Sequence, residues 1–129
     1  MRLREGVKEA VIRHAEACLP DECCGLLAVD AVGRIRFVYP LTNADPSPTT
    51  CTIAPEEPFA ALRHAERHGW EIGGVFHSHP KGPPELSEVD LAQPHDPDWI
   101  HVVVGFVPEP AVRAWRIRGG EPAEVPILA

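Results

Sequence analysis

Basic residues are few and scattered in this 129-residue chain, whose net charge is -7 at pH 7. The densest basic grouping is Arg113, Arg116 and Arg118. Proteins that bind nucleic acid neutralise phosphates with a clustered basic surface. The charge pattern therefore argues against a nucleic-acid partner.

Long apolar runs are absent as well. No stretch approaches the ~20 residues that a membrane-spanning helix requires. The opening segment MRLREGVKEA also lacks the apolar core of an export signal. We therefore expect a cytoplasmic protein with no membrane partner.

Cysteine is scarce, and the spacing of the four cysteines fits neither a CxxC pair nor a disulfide scaffold. In a reducing compartment, such residues are more often small buried hydrophobes than bridges. We therefore expect free thiols rather than disulfides at Cys18, Cys23, Cys24 and Cys51.

Asparagine and glutamine occur once each and lysine twice, against fifteen prolines and ten arginines. Proline-rich loops and few thermolabile side chains are typical of heat-adapted proteins, but a GC-rich genome would give the same bias.

With 44% hydrophobic residues, the length suits a single domain over 1–129 with its own core. The oligomeric state stays open, with a homodimer as one alternative.

Apolar periodicity divides the first half of the chain into a helix, a hairpin and a loop. Apolar residues recur at helical spacing over 6–18, which predicts an amphipathic helix. The run CCGLLAV at 23–29 predicts a buried strand, and the alternating segment 34–39 predicts its hairpin partner. Three prolines and many small polar residues predict a loop over 40–54, with room for one short strand.

The second half predicts two helices and three strands. The first helix begins at 55–58 and ends near Gly69, and its buried stripe is expected to be Phe59, Ala61, Leu62 and Ala65. The second helix is short, covers 87–93, and is ended by Pro94. Strands are predicted at 71–76, 99–107 and 111–117, and the last residues are expected to be frayed. These elements predict an α/β sheet with flanking helices.

One stretch, HSHPKGPPELSEVD at 77–90, carries residues suited to catalysis rather than to packing. Residues two apart in a strand point to the same face, so His77 and His79 project together while Ser78 points to the interior. Asp90, on the next predicted helix, is the nearest carboxylate with a defined offset. Two neutral imidazoles and a carboxylate suit Zn²⁺ and leave one position for water.

Each part of this stretch also has a structural interpretation. A lone HxH in a strand is most often a pair of surface histidines, and Ser87 to Asp90 fits the S-x-x-D capping box of a helix. Both patterns together, between a predicted strand and a predicted helix, are far harder to produce by chance.

The motif resembles that of the JAMM (MPN-plus) zinc metalloproteases, which have HSHP, six residues, S-x-x-D, and an upstream glutamate. Every motif position is present, at Glu22, His77, Ser78, His79, Pro80, Ser87 and Asp90. The segments PDECCGLL, LTNADPSP and GGVFHSHP are similar to those of compact prokaryotic members, including sulfur-carrier-protein-processing peptidases. The resemblance implies the JAMM/MPN fold, a mixed, mostly antiparallel sheet with flanking helices and a cytidine-deaminase-like layout.

The resemblance also implies roles for single residues. His77, His79 and Asp90 would hold Zn²⁺, Glu22 would act as general base and then protonate the leaving amine, and Ser87 would hydrogen-bond the oxyanion. The residues alone also favour Glu22, an acid at the start of an apolar strand, although Asp21 competes locally. Weaker candidates, as surface or structural residues beside the motif, are His95, Asp96 and His101.

The implied reaction is hydrolysis of a peptide or isopeptide bond at the C-terminal tail of a ubiquitin-like or sulfur-carrier protein. The short predicted loops leave little room for insertions that hold a ubiquitin chain. One alternative is a non-catalytic MPN-type protein-interaction scaffold, which is expected to lack a metal ligand. Another is a zinc nucleobase deaminase, whose H-x-E and P-C-x-x-C signature is absent.

Overall fold

The computed structural model describes residues 6–45, 47–48, 51–53, 56–93 and 96–127. Within them, three helices and six strands follow one another along the chain. In order, they are α1 (Val7–Cys18), β1 (Cys24–Val29), β2 (Ile35–Leu41), α2 (Glu56–Arg67), β3 (Glu71–His79), α3 (Glu88–Ala92), β4 (Ile100–Gly105), β5 (Ala111–Arg118) and β6 (Glu121–Val125).

The strands form one sheet in the order β2-β1-β3-β4-β5-β6. Only the central pair, β3 and β4, is parallel, and every other pair is antiparallel. A parallel connection needs a crossover, and the segment between these two strands contains α3. The predicted α/β class and the mixed, mostly antiparallel sheet are confirmed.

The sheet is covered on both faces, which divides the core into two clusters. On one face, α1 packs through Val7, Val11 and Ala15 against Leu27 and Phe76. On the other face, α2 packs through two alanines. Successive strand residues alternate between these faces. His77 and His79 of β3 therefore lie on the α2 face, while Ser78 lies on the α1 face and is fully buried.

The predicted buried stripe of α2 is only half right. Ala61 and Ala65 are buried, but Phe59 is 69% exposed and Leu62 is 40% exposed. The close approach of α2 to the sheet uses its small residues, so the larger side chains are turned outward. The predicted C-cap at Gly69 is confirmed by its φ of +74°, whereas the predicted start at Pro55 lies outside the described residues.

The expectation of a frayed C-terminus is wrong for Glu121–Val125. Residues Glu121–Val125 form β6, which pairs with β5 in antiparallel register from Arg118↔Glu121 to Ala114↔Val125. The two-residue turn is Gly119-Gly120, with φ of +58° and +78°. A type I′ hairpin needs positive φ at both positions, so the Gly-Gly pair was the sequence signal for this strand.

The other elements agree with the sequence to within two or three residues. The helix predicted at 6–18 is α1, and the hairpin is β1 and β2, which extends to Leu41. In the described part of the 40–54 loop, a single bridge joins Asn43 to Ile53. No helix among the described residues is long and apolar enough to cross a membrane.

The β1–β2 turn offers a test of pH-dependent stability. Asp30 accepts backbone N–H groups of Arg34 at 2.9 Å and of Val32 at 3.0 Å. These hydrogen bonds, with the Arg34 guanidinium, lower the pKa of the carboxyl to about 2. The ionised Asp30 therefore stabilises the fold at pH values above the pKa of the carboxyl in the unfolded chain, near 3.9. This stabilisation is lost as the pH falls toward 2.

We therefore expect Asp30→Asn to lower the urea midpoint at pH 7, with the difference from wild type disappearing near pH 2. Asparagine keeps an acceptor oxygen, so the variant removes the charge with little change of shape. Glu109→Gln, at an exposed loop position, is the control. An equal effect of Asp30→Asn at both pH values would contradict the prediction.

Candidate metal centre

The C-terminal end of β3 presents two imidazoles on one face of the sheet. His77 and His79 are the seventh and ninth residues of this strand, paired with Val103 and Gly105 of β4. Between them, the hydroxyl of Ser78 accepts the backbone N–H of Cys23 at 2.9 Å. The serine thereby ties β3 to the residue that follows Glu22.

Asp90 comes from α3, and the predicted capping box fixes its position. Its backbone N–H donates to Ser87 Oγ at 3.1 Å, and the backbone N–H of Ser87 donates to Asp90 Oδ2 at 2.9 Å. The capping box and the ligand interpretation, which the sequence left as alternatives, use the same side chain.

The three side chains converge on one point. His77 Nε2 lies 3.2 Å from His79 Nε2 and 3.1 Å from Asp90 Oδ2, and His79 Nε2 lies 3.2 Å from Asp90 Oδ2. Donors each about 2.0–2.1 Å from a tetrahedral ion lie about 3.3 Å apart. The nearly equilateral triangle and its two-nitrogen, one-oxygen composition therefore fit Zn²⁺.

Glu22 is buried beside this triangle, with 8% of its surface exposed. Its backbone is held on both sides, because its N–H donates to Ser47 O at 2.7 Å and its carbonyl accepts from Asn43 Nδ2 at 3.3 Å. The 40–54 loop thus anchors the acid. Asp21, its local competitor, is half-buried and lies outside the convergent set.

The electrostatics of the cluster differ from residue to residue. Burial raises the pKa of Glu22, opposed by the nearby His77 and His79. Burial also acts to raise the pKa of Asp90, but hydrogen bonds with both histidines outweigh it and hold this pKa well below its usual range. The hydrogen bond with Asp90 raises the pKa of His79. A carboxylate held ionised beside imidazoles is a suitable cation ligand.

Two clefts meet at the triangle. The first, called here the Lys81 cleft, has a volume of about 320 Å³ and is lined by Glu22, Pro48, His79, Pro80, Lys81, Gly82, Ser87, Val89 and Asp90. The second, the Trp99 cleft, has a volume of about 410 Å³ and is lined by Val75, His77, Leu86, Asp90, Gln93, Asp96, Trp99 and His101. Substrate therefore has room on both sides of the candidate metal position.

The sequence analysis assigned few functional residues to the Trp99 cleft. His101 is buried and, with Asp96, lines the same cavity as His77, although neither belongs to the convergent set. His95 lies outside the described residues. Trp99 and Lys81 were missed as lining residues, because no spacing rule connects them to the histidines.

The prediction of four free cysteines is wrong for one pair. Cys24 of β1 is bonded to Cys51 of the 40–54 loop, with a Cα–Cα distance of 6.3 Å and a sequence separation of 27. Cys18 and Cys23 are free, and Cys23 is buried as expected. The pair follows from the fold of the loop over β1, which sequence spacing does not encode. It ties down the loop that holds Glu22.

Comparison with known proteins identifies the family. A model described as prokaryotic homologs of the JAB domain matches residues 4–118. The chain belongs to this family. Homologous JAB-family proteins are JAMM peptidases, so the resemblance drawn from the HSHP and S-x-x-D motif is confirmed, and the family implies a zinc site.

Curated relatives of this JAB-family chain include two peptidases. A probable TtuB-protein conjugate cleaving protease from Thermus thermophilus is 34% identical over 128 residues, covering 95% of this chain and 80% of that one. A CysO-cysteine peptidase from Mycobacterium tuberculosis is 30% identical over 129 residues, covering 97% and 88%.

Other matches differ in extent. The tail tip assembly protein K of Escherichia phage N15 is 34% identical over 91 residues, which is 70% of this chain but only 35% of that protein. A solved structure of a protein from Desulfitobacterium hafniense superposes with a TM-score of 0.85 at 31% identity, covering 98% of this chain and 90% of that one.

The cysteines give a test of the site's scaffold. We expect iodoacetamide at pH 8 to label the half-buried Cys18 in the native, unreduced protein, more slowly than a solvated thiol because burial and Asp21 raise its pKa, and to leave Cys23 unlabelled. Burial raises the pKa of the Cys23 thiol to about 12, so little thiolate is present. Cys24 and Cys51 should be labelled only after reduction.

Peptide mapping by mass spectrometry distinguishes the four residues, and a denatured, reduced sample is the control for full labelling. Labelling of Cys24 and Cys51 in the native, unreduced protein would contradict the assigned pair.

Proposed function

We propose that this protein is a zinc-dependent peptidase that hydrolyses the bond at the C-terminal tail of a ubiquitin-like or sulfur-carrier protein. The observation that carries the proposal is the convergence of two imidazole nitrogens and one carboxylate oxygen, with a buried glutamate beside them. Two clefts open on either side, as a substrate bound across the site requires.

In this proposal, His77, His79 and Asp90 hold the metal. Bound in an open site of this kind, Zn²⁺ would supply Lewis-acid chemistry, polarising the scissile carbonyl and lowering the pKa of water toward ~7. The cap of α3 supports Asp90 as a ligand, because the backbone N–H of Ser87 holds its Oδ2 beside the two imidazoles.

Glu22 acts as the general base. It removes a proton from the attacking water and then delivers a proton to the nitrogen of the leaving amine. Burial raises the pKa of this carboxyl, which makes the carboxylate a better proton acceptor than a solvated glutamate. Its anchored backbone keeps the carboxylate directed at the cleft.

Ser87 supplies a hydrogen bond to the oxyanion that develops on the scissile carbonyl. Its oxygen already accepts the N–H of Asp90, so its own O–H remains available as a donor toward the Lys81 cleft that it lines. The two roles that the sequence could not separate are therefore compatible.

The substrate class rests on the relatives. The Thermus thermophilus relative is named a probable TtuB-protein conjugate cleaving protease, and the Mycobacterium tuberculosis relative is named a CysO-cysteine peptidase. The alternative, a non-catalytic scaffold of the same fold, would not need three converging ligands and a buried acid. A single domain over 1–129 and a cytoplasmic location remain predictions, and the oligomeric state stays open, with a homodimer as one alternative.

Removal of a ligand tests the metal centre. We expect Asp90→Ala to weaken zinc binding at least about 100-fold, since it deletes one of three protein ligands and its cap. The matched control is Glu88→Ala, an exposed acid on the same helix. Zinc content by atomic absorption, after dialysis against metal-free buffer, gives the comparison. Equal zinc content in both variants would exclude this site.

Replacement of the base separates catalysis from metal binding. Glu22→Gln should keep stoichiometric zinc but lower the rate of tail cleavage by about 10²–10⁴-fold, the usual contribution of a general acid–base group. Asp21→Asn is the control, because it changes the neighbouring acid. Cleavage of a carrier protein from the same genome, followed by mass spectrometry, measures the rate. A Glu22→Gln enzyme at the wild-type rate would show that the base is assigned wrongly.

A further inference from the structure

The position of Glu22 indicates which cleft receives the leaving group. In the proposed function, on which this inference rests, Glu22 hands a proton to the leaving nitrogen. Glu22 lines the Lys81 cleft and is absent from the lining of the Trp99 cleft. The amine therefore leaves into the Lys81 cleft, and the tail of the carrier protein approaches from the Trp99 side.

Lys81 is fixed close to the centre by the backbone rather than by its side chain. It lies in a turn that begins at the ligand His79, whose carbonyl accepts the N–H of Gly82 at 3.2 Å. The Gly82 carbonyl in turn accepts the N–H of Phe106 at 2.9 Å. The base of the lysine is thus rigid, while its flexible ammonium group can reach into the cleft it lines.

The charge balance of this cleft leaves Lys81 available for an anion. With a divalent cation held by the triangle, the negative charges of Glu22 and Asp90 are compensated, and the lysine charge is left over. Among the described residues, Lys81 forms no ion pair with a carboxylate. It is one of two lysines in a chain of net charge -7.

We propose that Lys81 determines specificity by binding the α-carboxylate of the leaving residue. The enzyme would then release a single C-terminal amino acid in preference to breaking a lysine isopeptide bond. In a released amino acid, the carboxylate carbon lies two bonds from the leaving nitrogen. It must therefore enter the cleft that holds both Glu22 and Lys81.

An isopeptide leaving group presents different chemistry to this cleft. Its nitrogen ends a four-carbon side chain, and its own α-carboxyl group is part of a peptide chain. The cleft would then hold methylene groups beside an unpaired ammonium. The charge of Lys81 thus favours cleavage of a peptide bond to a terminal residue, whose α-carboxylate it binds. An isopeptide leaving group offers Lys81 no such contact.

The test compares three forms of one carrier protein from the same genome. Its tail ends in Gly-Gly-Ala as the free acid, in Gly-Gly-Ala carboxamide, or in an isopeptide bond to a lysine ε-amine. With zinc-loaded wild type, we expect kcat/KM to be highest for the free acid. Lys81→Met should reduce that value about twofold to fivefold, as expected for a solvated ion pair, and leave the carboxamide unchanged.

Matched variants control for general effects. Lys8→Met removes the same charge from the exposed surface of α1 and should change none of the three values. Lys81→Arg should restore part of the preference for the free acid. Zinc content and thermal midpoint should be the same in all variants, because Lys81 is exposed and holds no other group.

Binding provides a readout independent of turnover. In a Glu22→Gln background, the dissociation constant for the free-acid tail should rise about twofold to fivefold on Lys81→Met, with no change for the carboxamide. One outcome would contradict the role of Lys81 alone: wild type shows no preference for the free acid over the carboxamide, and Lys81→Met changes kcat/KM for neither tail. Lys81 would then not bind the carboxylate, while the proposed peptidase function would be unaffected. If zinc-loaded wild type cleaves none of the three, the proposed function fails, and this inference fails with it.

Discussion

The Oδ2 atom of Asp90 serves the fold and the site at once. It accepts the backbone N–H of Ser87, which begins α3, and it lies within 3.1–3.2 Å of both imidazoles of β3. A short helix of five residues has little stability of its own. The capping box and the contact with the histidines therefore depend on each other, and loss of this carboxylate removes both a helix start and a candidate metal ligand.

The loop between β3 and α3 keeps these two elements in register. A Cβ at Gly105 would collide with the backbone at Pro83 and Pro84, so glycine at the end of β4 lets the loop cross this strand. The loop is also held by hydrogen bonds, since Gly82 O accepts from Phe106 and Pro84 O accepts from Trp115 Nε1 at 3.2 Å. Proline limits the conformations of the unfolded loop, which lowers the entropic cost of this geometry.

Much of the fold was predictable because the sequence patterns that indicate its helices and strands lie within single elements. Hydrophobic periodicity located α1 and the strands β1 to β5, and the S-x-x-D pattern located the start of α3. The errors concern interactions that periodicity does not encode. Phe59 and Leu62 occupy helical positions typical of a core, yet α2 approaches the sheet through Ala61 and Ala65. The Cys24–Cys51 pair joins residues that become neighbours only when the loop folds back over β1.

The sequence by itself identified the candidate donor set, because His77 and His79 must share one face of a strand and Asp90 occupies a capping position of the next helix. It also determined the family, through a motif that matches at every position. Only the tertiary structure decided that these donors converge, that Glu22 is buried beside them, and that Lys81 and Trp99 lie in separate clefts. The physical reason is that strand and helix periods fix directions within an element, whereas distances between elements depend on packing and on loop closure.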